Sequence, residues 1–261
     1  MARAIAQPGR NCDAGRPGIS RSAAITIQQG DRKGVLVGMD IGISFTYMFE
    51  DKDWLKKILI GGLISLIPIV NFAALGYVIQ VIRNTRDGRT LPLPEWDRFG
   101  EYFMSGLWLF LIYLVYSIPI LILACLQGIG MAVIGSGGNG SSQNTVASVF
   151  GIVSICLSCL MGLWVLLLAV ISPALMVRFA ETGQFNATLR LGGALGVLKA
   201  NVGSYLIVMI VMWVASGIIA PLGLIACVVG VIFTQFWAHL VTGNLLGQLA
   251  NEVRRANPVS V

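Results

Sequence analysis

The sequence predicts an all-α polytopic transmembrane helical bundle, and three observations support this fold class. Hydrophobic residues make up 56% of the 261 residues and charged residues only 11%, whereas a typical soluble domain carries about 25% charged residues. No Asp, Glu, Lys or Arg occurs from Tyr102 to Val177 or from Ala200 to Asn251. Apolar stretches longer than about 18 residues are typical of membrane spans. An ordinary soluble globular fold is therefore excluded.

Composition divides the chain into three parts. Residues 1–38 are rich in Gly, Arg, Ser and Ala without periodicity, which is typical of a disordered tail. Residues 39–252 are predicted to form an integral membrane domain, and residues 253–261 a short basic cytoplasmic tail. The first 45 residues contain no apolar segment of signal-peptide length.

Five apolar blocks lie within the predicted membrane domain. Two of them, each about 30 residues long, would form helices of about 45 Å, longer than the ~30 Å hydrocarbon core. Pro119 and Pro173 are therefore expected to kink or end these helices. The blocks run over residues 58–82, 103–134, 146–177, 202–220 and 222–250.

The distribution of Lys and Arg predicts the orientation of the blocks. If all five blocks cross the membrane, the 18 basic residues divide evenly, nine on each side. If the first block enters and leaves on one side, all 18 lie on that side, which the positive-inside rule favours. We therefore expect a multi-pass protein of the cell membrane with cytoplasmic N- and C-termini.

The first block carries the break that this arrangement needs, at Pro68–Asn71. Each half is about 10 residues long, or about 16 Å of helix, which is too short to span a membrane. The favoured interpretation is a re-entrant helical hairpin packed against the other helices. The alternative is a single Pro-kinked span with the N-terminus outside.

Short amphipathic helices are predicted to lie in the cytoplasmic interface before the spans. Residues 94–99 begin with Pro and acidic side chains, as helix starts prefer, and residues 185–195 carry an apolar stripe. Trp54, Trp96 and Phe99 are the expected interfacial anchors. The alternative is that these segments are plain juxtamembrane loops.

Several segments resemble one known family. The longest is MDIGISFTYMFEDKDWLKKILIGGL, Met39–Leu63, and the similarity ends near residue 250. The pattern is similar to the domain of unknown function 4013 family of multi-pass membrane proteins. That family has no assigned activity, so the resemblance implies a fold and a membrane location only. It also implies a natural start at Met39, which would make residues 1–38 an over-long translation. The other matching segments are Gly76–Tyr77, Leu93–Asp97, Tyr116–Pro119, Phe179–Gly183 and Leu245–Gln248.

The chain offers no catalytic motif, so we expect neither an enzyme nor a cofactor or metal site. HExxH and a phosphate-binding loop are absent from the sequence. Cys156 and Cys159 have CxxC spacing but no redox context. Ser216 and His239 faintly resemble the serine–histidine dyad of rhomboid intramembrane proteases, but Val214 stands where that family's motif has glycine. The net charge of +6 reflects the positive-inside rule, so no nucleic-acid partner is expected.

Five polar side chains in the last block form the candidate intramembrane cluster. His239 is the only histidine and shares a helix face with Gln235 and Thr242. Asn244 and Gln248 lie one turn apart. Such residues either form a functional polar site or make interhelical hydrogen bonds that fix packing, and we favour packing.

Small residues also recur at helical spacing in this block. Residues of this kind let helices approach closely in lipid. The favoured partner of these residues is the rest of the bundle, and the alternatives are a second copy of the chain or another membrane protein. The residues are Ala226, Gly230, Thr234, Ala238 and Thr242, with Gly243 and Gly247 on a second stripe.

Two functions remain open from the sequence. The favoured one is a non-enzymatic scaffold or accessory protein whose partner is the lipid bilayer together with other membrane proteins. The alternative is a channel or facilitator for a small or apolar solute, because broken helices often line pathways. A dry, close-packed core favours the scaffold, whereas a polar, water-accessible cavity around His239, Asn244 and Gln248 favours transport.

Overall fold

The computed structural model describes residues 39–136, 141–219, 222–223 and 227–256. These residues are almost entirely helical and contain no strand, which confirms the predicted all-α class. The predicted disordered tail, residues 1–38, lies outside the described residues, as do the last five residues of the predicted basic tail.

Nine α-helices make up most of the described chain. In order they are α1 (Ile41–Thr46), α2 (Trp54–Leu66), α3 (Asn71–Arg86), α4 (Phe99–Gly135), α5 (Ser141–Thr182), α6 (Phe185–Thr188), α7 (Leu191–Ala200), α8 (Val202–Val214) and α9 (Cys227–Ala256). Short 3-10 turns, Tyr47–Glu50 and Trp96–Arg98, precede α2 and α4, and a π-helical turn, Ala215–Ile219, extends α8.

Helices α2 and α3 fold back on each other as a hairpin. The indole Nε1 of Trp96 donates to the backbone oxygen of Lys57 at 3.1 Å, while the same ring stacks on Tyr77 with centroids 4.3 Å apart. One continuous helix would hold residues 57 and 77 about 30 Å apart. The chain therefore reverses between them, at the break that Pro68 predicts.

Glycines allow the hairpin to pack against α4 with direct backbone contact. A Cβ atom on Gly76 would lie 1.8 Å from the backbone oxygen of Tyr102, and one on Gly106 would lie 1.7 Å from that of Phe72. No larger side chain fits at either position. Helices α3 and α4 therefore lie as close together as membrane helices that meet through small residues.

The GxxxG pair of α9 faces α3 of the same chain. A Cβ atom on Gly243 would lie 3.2 Å from the Val78 side chain, and one on Gly247 would lie 2.8 Å from the backbone oxygen of Ile82. This stripe of small residues is therefore occupied by intramolecular packing, which is one of the alternatives that the sequence leaves open.

The two longest helices are the clearest candidates for membrane spans. Segments Trp96–Gly135 and Thr145–Thr182 are long and apolar enough to cross a bilayer. Pro119 and Pro173 lie inside α4 and α5, so neither proline ends its helix. In the described residues, a third span is added only if the bent pair α7 and α8 counts as one. The four spans expected after the hairpin stay a prediction.

The bend between α7 and α8 is 100° and is held by Asn201. Its side-chain oxygen accepts the Ser204 backbone N–H at 3.3 Å and so caps α8. Its amide nitrogen donates to Glu252 on α9 at 3.1 Å. One asparagine therefore fixes both the start of α8 and the position of the bend against α9.

The dense core lies at the end of the bundle that holds the charged segments, residues 83–101, 178–190 and 252–255, here called the basic end. Tyr77, Phe179 and Leu245 are fully buried there. In the opposite direction, α4 and α5 expose most of their large apolar side chains, such as Ile129 at 63% and Ile155 at 66%. This division fits helices whose apolar surfaces contact lipid.

Candidate functional site

The five polar side chains predicted on α9 fall into two separate groups. Gln235 and His239 contact each other, with Nε2 atoms 3.3 Å apart. Asn244 and Gln248 form a second group, in which Gln248 Nε2 donates to Asn244 Oδ1 at 2.8 Å. Thr242 is buried, and no hydrogen bond among the described residues joins it to either group. The predicted members therefore share one helix but not one cluster.

The Asn244 and Gln248 group joins three helices. Gln248 donates to the Asp40 backbone oxygen at 3.1 Å and to Ser44 Oγ at 2.9 Å, and its Oε1 accepts the Asp40 N–H at 2.7 Å. Ser44 donates to Asn244 Oδ1 at 2.9 Å, and Asn244 donates to Thr85 Oγ1 at 3.3 Å. Both amides are occupied by protein partners, as the packing interpretation expects.

The Gln235 and His239 group borders a cavity at the tip of the α2–α3 hairpin, here called the hairpin groove. Its volume is about 430 Å³. His239 is exposed even though its helix lies within an apolar block. The groove is lined by Ser65, Pro68, Asn71, Phe72, Ala74, Leu75, Val78, Phe110, Met176, Phe236 and His239.

An ion cluster that the sequence does not predict lies at the basic end, with Lys57 and Asp51 buried and the Glu95 side chain largely exposed. Lys57 Nζ lies 2.7 Å from Asp51 Oδ2 and 2.6 Å from Glu95 Oε1. Burial alone would lower the pKa of Lys57, but hydrogen bonds to the two carboxylates raise it above its usual value. Burial likewise favours a higher pKa for Asp51, yet the bonds from Lys57 and the Asp53 N–H hold that pKa below its usual value.

The segment before α4 is held by side chains that bind four successive carbonyls. Pro92 and Pro94 restrict this segment to an extended conformation and donate no N–H, so its oxygens need donors from elsewhere. The donors come from α2, α3 and α4. They are Asn84 Nδ2 to Pro92 O at 2.9 Å, Lys57 Nζ to Leu93 O at 3.4 Å, Tyr77 OH to Pro94 O at 2.8 Å and Tyr102 OH to Glu95 O at 2.8 Å.

Arginines clamp the C-terminal end of α5. Arg83 Nε and Arg86 Nη1 both donate to the Ala180 backbone oxygen, at 3.1 and 3.2 Å, where the helix dipole favours positive charge. Burial and the neighbouring Arg86 charge lower the pKa of Arg83. Asp87 binds Arg86 and lies 3.8 Å from Arg254, and the hydrogen bond from Arg86 holds the pKa of Asp87 below its usual value. These contacts join α3, α5 and α9.

The three predicted interfacial anchors occupy different environments. Trp54 is half-buried and packs edge-on against Phe49, with centroids 4.9 Å apart. Trp96 turns inward, where its ring stacks on Tyr77 and its ring centroid lies 6.3 Å from that of Phe236. Phe99 is 40% exposed. A membrane contact is thus open to Phe99 and part of Trp54, whereas Trp96 contributes to packing.

The structure also shows the surroundings of the possible Ser216–His239 dyad and of the Cys156–Cys159 pair. The Ser216 hydroxyl donates to the Met212 oxygen on its own helix, and no hydrogen bond in the described residues joins it to His239. Cys156 and Cys159 are exposed free thiols. The described part of the chain contains no group of three or more His, Cys, Asp or Glu side chains that could hold a metal ion.

Comparison with known proteins gives one finding. A family model described as "Protein of unknown function (DUF4013)" matches residues 60–229, well over half of the chain. The match confirms the resemblance predicted from the sequence. No curated protein and no solved structure matches the chain.

Proposed function

We propose, from the premise that the chain belongs to the domain of unknown function 4013 family, that it is a non-enzymatic scaffold or accessory protein of the cell membrane. Two helices that are long and apolar enough to cross a bilayer support the membrane location. The proposed scaffold acts through the short helices at its basic end, which would lie along the cytoplasmic face.

The main support for this proposal is that polar side chains of α9 are hydrogen-bonded to other parts of the protein. Asn244 is buried, and the side chains of Asn244 and half-buried Gln248 are occupied by hydrogen bonds with Ser44, Asp40 and Thr85. Between and beyond them the helix is fully buried by apolar packing. The residues with 0% exposure are Leu240, Val241, Leu245, Leu246, Leu249 and Ala250. This close-packed apolar core supports a scaffold rather than a passage for solutes.

The proposed orientation places the basic end and both termini in the cytoplasm. The Lys57–Glu95 and Asp87–Arg254 contacts bring distant charged segments to one end of the bundle. This agrees with the positive-inside rule only if the α2–α3 hairpin enters and leaves on the same side. The fold-back at Pro68 supports that re-entrant arrangement.

Apolar side chains exposed beside the charged segments are the proposed contact surface for a partner. Leu191 and Leu195 on α7 are 47% and 41% exposed, and Leu55 on α2 is 54% exposed. At the boundary between lipid and water, such residues bind either the bilayer or another membrane protein. A second copy of the chain and a different membrane protein are both open as partners.

The alternative role, a channel or facilitator for a small or apolar solute, draws on the hairpin groove. Phe236 is one of the residues that line this cavity, and the centroid of its ring lies 6.0 Å from that of Tyr77 and 6.3 Å from that of Trp96. Because this aromatic cluster is followed by the fully buried part of α9, the groove supports binding more than passage.

Photocrosslinking combined with a flux assay tests the proposal. A benzoylphenylalanine placed at Leu195 is expected to capture one reproducible partner in native membranes, whereas the same probe at Ile155, 66% exposed on α5, captures lipid. Vesicles containing the purified chain are expected to admit glycerol no faster than protein-free vesicles. Faster glycerol entry, together with no partner at Leu195, would overturn the scaffold role in favour of the facilitator.

A further inference from the structure

We infer that the hairpin groove is a binding site for a neutral, membrane-soluble amphiphile, with a hydroxyl or carbonyl head group and an apolar tail. This inference goes beyond the scaffold proposal and does not depend on it. It rests on the polar groups, the apolar lining and the depth of the groove.

The polar side of the groove holds hydrogen-bonding groups without a protein partner. Gln235 Nε2 lies 3.3 Å from His239 Nε2. With the Gln235 amide in this orientation its nitrogen donates, so His239 Nε2 accepts and Nδ1 carries the proton of the neutral imidazole. Among the described residues, neither that N–H nor the side-chain amide of Asn71 has a hydrogen-bond partner. Polar groups left unpaired in lipid are costly, so the groove favours a ligand that pairs with them.

The remaining lining determines the rest of the ligand. Phe72, Phe110, Met176 and Phe236 form an apolar wall, and methionine adapts readily to irregular ligand shapes. The volume of about 430 Å³ falls within the roughly 300–1,000 Å³ of small-molecule pockets. An alkyl chain of moderate length fits such a space.

The head group must be uncharged. None of the lining residues is Asp, Glu, Lys or Arg, so an ionised ligand would lie in a low-dielectric site without a counter-charge. The tip of the hairpin is also roughly 15 Å from Lys57 at 1.5 Å per residue. A charged lipid head group bound at the basic end is therefore too far away to pair with Asn71 at the tip of the hairpin. A plain acyl chain would leave the side chains of Asn71 and His239 unpaired.

Photolabelling of the full chain in phosphatidylcholine vesicles tests this site. The probe is dodecanol carrying a diazirine near the hydroxyl, and labelled peptides are identified by mass spectrometry. We expect saturable labelling around Phe72 and Met176. Unlabelled dodecanol should compete about tenfold better than dodecane or dodecyl phosphate, because only the alcohol combines a neutral polar head with the apolar tail.

Two variants test the polar contacts. His239→Leu and Asn71→Leu are each expected to reduce labelling about fivefold, while Ser158→Leu, an exposed change on α5, leaves it unchanged. Thermal unfolding of each variant checks that the bundle is intact. If a variant does not fold, the competition in the wild-type chain decides alone. Equal competition by dodecane, or labelling that does not saturate, would show a groove filled by lipid tails without recognition and would overturn the inference.

Discussion

The side-chain amide of Gln248 pairs with both the backbone N–H and the backbone carbonyl of Asp40, although the two residues are 208 positions apart in the sequence. Its amide oxygen accepts the Asp40 N–H at 2.7 Å, and its amide nitrogen donates to the Asp40 carbonyl at 3.1 Å. One side chain therefore closes the first described helix onto the last one. The stability of the bundle should depend on this contact.

Replacing Gln248 by Ala is expected to destabilise the bundle. The change leaves the Asp40 N–H without its partner and takes a donor from the buried Ser44 and Asn244 oxygens, at a cost of about 1–3 kcal/mol. Chemical denaturation in detergent measures the loss. The matched control is Gln235→Ala, which removes one exposed 3.3 Å contact on the same helix and should cost much less. Equal losses would show that the Asp40 contact is unimportant.

Periodicity in the sequence predicts part of this arrangement and cannot predict the rest. Helical spacing places Gln235, His239 and Thr242 on one face of α9. It does not say which neighbour lies against each turn, so Asn244 and Gln248 could not be assigned to Ser44 and Asp40. The hairpin is easier to predict from the sequence, because Pro68 breaks an apolar block whose halves are each too short to span a membrane.

Local sequence patterns also do not predict the ion cluster or the inward position of Trp96. Lys57 meets Glu95 across 38 residues, and no local pattern encodes a contact at that separation. The enrichment of tryptophan at membrane interfaces predicts an interfacial position for Trp96, but the same ring is equally suited to stack in a core when its N–H finds an acceptor. Here the Lys57 carbonyl is that acceptor.

Lys57→Met should destabilise the chain by about 3 kcal/mol, because removing one partner leaves buried Asp51 without its counter-charge. Lys56→Met is the control, since Lys56 is exposed and its loss should change stability little. Thermal and chemical unfolding in detergent at neutral pH compare the two. Similar effects of both changes would exclude an important role for the buried pair.

The pH dependence of the same pair has a defined direction. The lowered pKa of Asp51 gives stability that is present above its unfolded value of about 3.9 and is lost as the pH falls. The raised pKa of Lys57 gives stability that is present below about 10.4 and is lost as the pH rises. The difference in unfolding free energy between wild type and Lys57→Met should therefore stay constant from about pH 5 to 9 and shrink below about pH 4. A difference that grows on acidification would contradict this pairing.

Gly76→Ala is expected to cost more than about 2 kcal/mol, because the added Cβ forces two backbones apart. That atom would lie 1.8 Å from the Tyr102 oxygen. Gly100→Ala is the control in the neighbouring helix, where nothing lies within 4 Å of the new atom. Removing a helical glycine there should be neutral or stabilise by up to about 1 kcal/mol. Equal tolerance of both changes would mean that α3 and α4 do not touch.

Gly247→Leu separates intramolecular packing from self-association. Its side chain would meet the Ile82 oxygen and Thr85, so the purified variant should unfold more readily, with the oligomeric state of the wild type retained. Unfolding curves and mass photometry in detergent measure the two properties. A variant of normal stability that dissociates from oligomer to monomer would assign this stripe to a seam between copies.

The side of the membrane on which residue 52 lies tests the account most directly. In a chain with its five cysteines replaced, a cysteine is introduced at Lys52, at Arg89 or at Asn139, and an impermeant maleimide is added to intact cells. A re-entrant hairpin predicts that Lys52→Cys and Arg89→Cys are both protected from outside and react only after the membrane is opened, whereas Asn139→Cys reacts from outside. Labelling of Lys52→Cys in intact cells would show that the first block crosses the membrane once and would contradict the single-sided arrangement of charge.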